Sequence, residues 1–466
     1  MDHPESPHLA APAAPAAARA PAKFVQGSTM RHVIVMTATA TLGLMAIFLV
    51  DLLNLFYIAR LGQTHLTAAV GYASTILFMT TSICIGVMIA TSALVSRRLG
   101  AGDRPAARRF AASSVTWMTA ISVVVSAIAL PLNAPLLTLL GATGETHEVA
   151  ARFLLIATPT LPLMGLGLAY SGVLRAVGDA RRAMYVTLSG GIVAAIMDPI
   201  LIFGLGLGVD GAALSILFSR LALAVLGWHG AVKVHNLVAR PDWRTALADG
   251  GAVASIAGPA VLTNLAPPIA NGYMTAALSP FGDAAIAANA VIGRLVPVCF
   301  GVIFALSGAV GPILGQNYGA RRLDRVRGAM TDSYILCTVY VAAMWALLAV
   351  SSNGIVAVFG ITDPAAVDLV TFFCLVVAGS WIFHGFMFVA NAAFNNLGYP
   401  LLSTVFNWGK ATVGTIPFVY VGALYFGAKG ALIGQALGAV AFGLAALWWG
   451  QRVIARLRLP DEGTRR

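Results

Sequence analysis

Two carboxylates stand where a carboxylate is costly. Asp51 lies within the apolar run 33–60, and Asp198, followed directly by Pro199, lies within the run 183–205. An ionised group in hydrocarbon costs several kcal/mol, so each is a candidate for chemistry that needs a group able to take up and release a proton or a cation. The plainer reading is a carboxylate that caps a helix break; Asp198-Pro199 invites it, because proline removes a donor and frees a carbonyl nearby. Asp51 sits about nine residues from the outer end of its run and Asp198 about six, so at roughly 1.5 Å per residue their depths differ by only about 5 Å. Both can face one cavity.

Basic groups occur in the apolar runs as well. Arg220, Arg294 and Lys410 fall inside apolar runs, where each either snorkels, pairs with a helix-end carbonyl or serves a pathway. His384, in "WIFHGFMF", is well inside a run and reads as a hydrogen-bonded core histidine or as a proton or substrate contact. Together with Asn271, Tyr273 and Asn391 it makes the set of candidates for a substrate cavity. Trp381, Phe383, Phe386, Tyr170, Tyr185 and Tyr273 could line such a cavity for lipophilic cations or simply pack. Cys84, Cys299, Cys337 and Cys374 all lie in apolar runs without CxxC spacing, the pattern of small buried hydrophobes and not of ligands or disulfides. No metal cluster and no cofactor motif is read from the chain. Walker A, GxSxG and HExxH sequences are absent, and the loops are short, so neither an enzyme nor an ATP-driven machine is expected. "GLGLGVDG" at 204–211 follows no strand and reads as a hairpin.

The elements that must hold these residues follow from composition. Of 466 residues 59% are hydrophobic and 10% charged, where a soluble domain carries about 25% charged residues; mean hydropathy is +0.84. The apolar runs are continuous, without the period-2 alternation of a membrane barrel, so they predict an all-α integral membrane protein. Runs near 33–60, 67–96, 110–132, 149–173, 183–205 and 210–234 predict six transmembrane helices, and runs near 251–279, 284–313, 330–352, 366–393, 401–424 and 430–454 predict six more. Of the 29 Lys and Arg residues, 23 cluster on one side of these runs, which by the positive-inside rule places both termini in the cytoplasm of a cell (inner) membrane protein. Glu145, Glu148, Asp210, Asp283, Asp363 and Asp368 mark the opposite loops. A net charge of +11 is then topology-setting charge; no nucleic-acid partner is expected, and membrane lipids are.

The second half repeats the first. "LVSRRLGAGDRPAARR" aligns with "ILGQNYGARRLDRVRG" so that Gly100 meets Gly319; Gly178 meets Gly398 and Gly211 meets Gly430, at offsets of 219–220. Such a doubling predicts two six-helix lobes, 31–234 and 251–454, parallel repeats related by a pseudo-two-fold along the membrane normal. Residues 1–30, rich in Ala and Pro, are expected to be a disordered cytoplasmic tail and not a signal peptide. Residues 235–250 read as the linker and 455–466 as a C-terminal tail. The offset carries Asp51 onto Asn271 and Asp198 onto Phe418, so only the first lobe is acidic and only it can carry proton coupling.

At this point the residues resemble a family. "LVSRRLGAGDRPAARR" and its twin "GPILGQNYGARRLDRVRG", "VLRAVGDARRAM" and "MDPILIFGLGLGVDGAALS" are similar to signatures of MATE (multidrug and toxic compound extrusion) transporters over about 30–455. The resemblance implies secondary antiport of organic cations or other xenobiotics against protons or sodium, by lobes that alternate access. Asp51 and Asp198-Pro199 sit where the family places its helix-1 and helix-5 aspartates, which resembles the DinF-like branch. Other members carry a glutamate in helix 7 and an aspartate in helix 10; here those helices hold Asn264 and Asn271, and His384 and Asn391. Ala194 and Ile216, with Ser215 beside it, replace oxygen-bearing residues of the family pattern, which disfavours sodium, since a hard cation wants about six oxygens. A proton is the expected coupling ion, with sodium as the alternative, small-molecule cations or drugs as cargo, and a monomer as the working form. The rival reading is a flippase for a lipid-linked precursor in the same wider superfamily, which requires Arg220, Arg294 and Lys410 to converge in the central cleft.

Overall fold

Apolar side chains on every face leave the backbone amides no solvent but each other, and the chain answers with helices throughout. The computed structural model describes residues 22–61 and 63–457. Fourteen helices run α1 (Thr29–Ala59), α2 (Thr64–Gly100), α3 (Arg104–Leu139), α4 (Gly144–Ala157), α5 (Leu161–Val177), α6 (Ala180–Pro199), α7 (Gly208–Trp228), α8 (Trp243–Leu278), α9 (Asp283–Gly319), α10 (Leu323–Val358), α11 (Pro364–Leu375), α12 (Trp381–Leu397), α13 (Pro400–Ala411) and α14 (Ile416–Arg456). No strand is found among the described residues. Two pairs of helices are single crossings with a break in the middle: α4 and α5 are joined by a 3-10 turn at Thr158–Thr160, α11 and α12 by one at Val377–Ser380. The stretch from α13 through α14 is instead two crossings. Gly427, at φ 63° and ψ −149°, adopts a conformation open essentially to glycine alone, and beyond it the helix folds back so closely that a Cβ on Gly434 would lie 2.1 Å from the Phe418 carbonyl oxygen. The total is the expected twelve crossings.

The repeat is written in the backbone. α2 and α9 are both 37 residues long, α3 and α10 both 36, and each pair starts 219 residues apart. The left-handed C-caps Gly178 and Gly398 are also matched. The two halves meet where α2 packs on α8 and, in the equivalent place, α9 packs on α1. At the basic end α2 and α9 touch reciprocally: a Cβ on Gly100 would lie 1.9 Å from the Gln316 carbonyl oxygen, and one on Gly319 would lie 2.0 Å from that of Arg97. Offset 219 exchanges those two contacts, so this is a self-complementary crossing on a pseudo-two-fold axis. Arg97 reinforces it, donating from Nε to the Asn396 carbonyl at 2.8 Å and from its terminal nitrogen to Asn395 at 2.9 Å. The halves are closed at this end.

The ends of the chain differ from the expectation. Residues 1–21 and 458–466 of the expected tails lie outside the described residues, but 22–28 form a strap. Lys23–Val25 make a 3-10 turn with Phe24 buried at 1% exposure. Lys23 Nζ donates to the Gly178 carbonyl of the first half at 2.7 Å. The Phe24 amide donates to Gln316 Oε1 of the second half at 2.9 Å, while Asn317 and Arg325 donate to the Phe24 carbonyl at 3.2 and 2.8 Å. A bulky apolar side chain in an otherwise Ala/Pro-rich stretch is what seats it. Of the expected linker 235–250, the last part is the start of α8, capped by Asp242 through the amides of Arg244 and Thr245. Asp249 there is buried, accepting Ser113 Oγ at 2.8 Å and pairing with Arg109 at 3.1 Å.

Candidate functional site

The carboxylate expected at the end of the fifth crossing is held by three helices. α6 ends at Pro199, whose missing donor turns the chain into a π-type turn at Ile200–Gly204. This leaves Asp198 inward, at 1% exposure. α1 lies on α6 at a small-residue contact where Gly43 meets Thr187, and it supplies Asn54, whose Nδ2 donates to Asp198 Oδ2 at 3.1 Å. α7 supplies Ser215, buried to the same degree. Asp198 Oδ1 and Ser215 Oγ are both buried without a hydrogen-bond partner. Asp51 precedes Asn54 by three residues, nearly one helical turn, and its side chain is exposed. One carboxylate is therefore sealed inside the first half and the other is open, linked through α1. Asn54 was missed in the sequence, although an amide one turn from a buried acid is the signal that could have found it.

Arg220, the buried basic residue of α7, is tied to the backbone. Arg220 donates to the Ala157 carbonyl at 3.0 Å and to Thr160 Oγ1 at 2.7 Å, satisfying the carbonyl freed by the break between α4 and α5. Arg294 lies exposed on α9. Arg220 is thus committed to a break in the first half, while Arg294 and Lys410 belong to the second.

The second half holds the cavity candidates in two places. His384 and Asn391 lie on α12, seven residues apart and so on one face. The His384 ring stacks on Trp381 at 4.5 Å, and Trp381 stacks on Phe300 at 4.8 Å. His384 Nδ1 and Asn391 Oδ1 are buried without a partner. Tyr273 lies on α8, its hydroxyl donating to the carbonyl of Ile416, the first residue of α14, at 3.3 Å. Asn271 is exposed on α8, as its repeat mate Asp51 is on α1. Among the described residues no three His, Cys, Asp or Glu side chains gather as metal ligands.

Outside the membrane the acidic groups cap and tie. Asp179 caps α6, accepting the Arg182 amide at 3.1 Å, the Arg182 guanidinium at 2.5 Å and His235 Nε2 at 2.8 Å. Burial pushes its carboxyl up, but the hydrogen bonds from His235 and Arg182 and the arginine charge outweigh that, and the net shift is downward.

The sequence model of the MatE family matches residues 38–200 and 259–421, one match in each half. A protein of Shewanella oneidensis named FAD transporter is 29% identical over 441 residues, covering 93% of this chain and 97% of that one. The Multidrug export protein MepA of Staphylococcus aureus is 24% identical over 400 residues, covering 84% and 86%. Among solved structures, an outward-facing multidrug resistance transporter of the MATE family superposes with a TM-score of 0.87 at 21% identity, over 93% of this chain and 98% of that one. The Vibrio cholerae MATE transporter VcmN in its bent form gives 0.85 at 22% identity, over 92% and 97%.

Proposed function

The chain belongs to the MatE family of multi-span membrane transporters, and on that premise we propose that it is a secondary antiporter that exports organic cations or drugs in exchange for protons. Asp51 and Asp198 are its coupling residues, and the two lobes rock about the seam of α1, α2, α8 and α9. It works as a monomer in the inner membrane with both termini in the cytoplasm. The observation that carries the reading is the buried, half-partnered Asp198. Ionised, its Oδ1 is a desolvated charge without a hydrogen bond among the described residues, a state that costs free energy. Protonated there, it can donate to the Ser215 hydroxyl beside it, whereas ionised it can only accept from that hydroxyl. One negative site cannot favour a proton and a cationic cargo at once, so protonation from outside releases cargo, and deprotonation toward the cytoplasm restores affinity. A sodium ion is served less well: Ala194 and Ile216 bring no side-chain oxygen, and the carboxylate and Ser215 fall short of the roughly six oxygens a hard cation takes.

The test is uptake of ethidium into proteoliposomes under a proton gradient and, separately, a sodium gradient. Proton-driven accumulation in the wild type, lost in Asp198→Asn and Asp51→Asn while ethidium binding persists, is expected. Accumulation that either variant sustains at the wild-type rate removes that residue from the coupling site, and accumulation under sodium alone replaces the ion.

A second reading of the cargo rests on one feature: a cation, Lys410, inside the second half without a hydrogen bond or ion pair among the described residues. It favours an anionic aromatic cargo, such as the flavin nucleotide in the name of the Shewanella relative, with His384 and Asn391 in contact with it. The lipid-linked flippase loses support, since Arg220 is committed to the α4–α5 break.

A further inference from the structure

We propose that the interior of the second half contains an anion subsite, in which Lys410 receives the phosphate or carboxylate of a planar aromatic cargo while the cargo ring lies against His384. The proposal deepens the flavin reading above and rests on it only for the choice of ring. Its geometry starts at Ser403, whose hydroxyl donates to the Asn391 carbonyl at 3.3 Å and to Asn395 Oδ1 at 3.1 Å, fixing the register of antiparallel α12 and α13. Seven residues are about two helical turns and return to the same face. Seven residues on from Ser403 stands Lys410, and seven back from Asn391 stands His384, so the two face each other at one level, within electrostatic reach.

Among the described residues nothing neutralises Lys410. Its ammonium group, half-buried on the face of α13 that meets α12, has no hydrogen bond or ion pair among the described residues. The acids of the second half are engaged elsewhere: Asp249 with Arg109, Asp324 with Arg322, Asp332 with Thr29, Asp363 at the N-cap of α11 and Asp368 with Lys429, while Asp283 opens α9. A cation without a counter-charge at this depth is unfavourable. The position of Lys410 in the last turn of α13 offsets part of that through the helix dipole. The dipole does not account for His384 Nδ1 and Asn391 Oδ1, buried on the facing helix without partners. Phe300, Trp381 and His384 form a column of nearly parallel rings, with interplanar angles of 2° and 17°. Another flat ring would continue that column, and its anionic substituent would meet Lys410, a compact charge suited to phosphate.

The experiment is fluorescence anisotropy of riboflavin, FMN and fluorescein with the full chain in detergent, without any ion gradient, so that a failure of proton coupling does not enter. FMN is expected to bind about tenfold tighter than riboflavin, the size of one charge-assisted contact. Lys410→Gln should erase that preference with riboflavin affinity unchanged, which also shows that the variant is folded; Lys410→Arg should retain it. Equal binding of FMN and riboflavin by the wild type, or a preference that survives Lys410→Gln, overturns the subsite. Lys410-dependent binding of fluorescein, an aromatic anion, without any flavin binding would sink the flavin reading and leave the subsite standing. No Lys410-dependent binding of any of the three sinks the subsite.

Discussion

Asp198 and Asp179 show how differently one residue type is used inside and outside the membrane. Asp198 receives a single neutral donor, Asn54, and its other oxygen is left over. Asp179 accepts from Arg182 and His235 and is held below the ordinary carboxylate range. A carboxyl whose folded pKa is depressed stabilises the fold above its unfolded value, and that contribution is lost as pH falls through the depressed value. Asparagine caps a helix as well as aspartate does, so Asp179→Asn isolates the charge. Its thermal unfolding midpoint should lie below that of the wild type from pH 7 to pH 5, and the two should converge as pH drops below about 3.8, the reference value. A gap that stays constant down to pH 3 would mean the charge contributes nothing.

Helices in this protein approach each other through glycines, among them the crossing of α2 and α9 where the two halves meet. Gly319 allows α9 to cross α2 with no side chain between them, and the Lys23–Val25 strap spans the same seam. Any Cβ at 319 meets backbone at 2.0 Å, so Gly319→Val must push the helices apart. Phe24→Ala removes the anchor of the strap. Because the native cysteines Cys84, Cys299, Cys337 and Cys374 are all buried, a Ser96→Cys reporter in the seam can be followed with a maleimide. Its labelling is expected to rise about tenfold in Gly319→Val, the consequence of shifting the closed state by about 1.4 kcal/mol, and less in Phe24→Ala. Unchanged labelling in Gly319→Val would place the closing contact elsewhere.

At the scale of the whole molecule, closure at the α2–α9 end is one of the two arrangements that the proposed alternating access requires. If protonating Asp198 drives the lobes over, the neutral side chain of Asp198→Asn should mimic it. Spin labels on cysteines replacing Glu145 and Asp363, at the far ends of the two halves, should then move closer by roughly 10 Å, about one helix diameter. The same distance distribution in wild type and variant would uncouple the carboxylate from the lobes.

The sequence by itself determined the membrane, the twelve crossings and the doubling, because those depend on local hydropathy and on a repeat that any chain displays along its length. It also marked Asp51, Asp198 and His384, since a polar group in an apolar run stands out without coordinates. Only the tertiary structure decided what each one touches. Partners are set by the relative rotation and register of helices far apart in sequence, as with Asn54 on Asp198, 144 residues away, or Lys410 level with His384. The same holds for Phe24, which sequence placed in a tail: its burial comes from a pocket built by residues near 178 and 316, and that pocket exists only once the two halves have closed on each other.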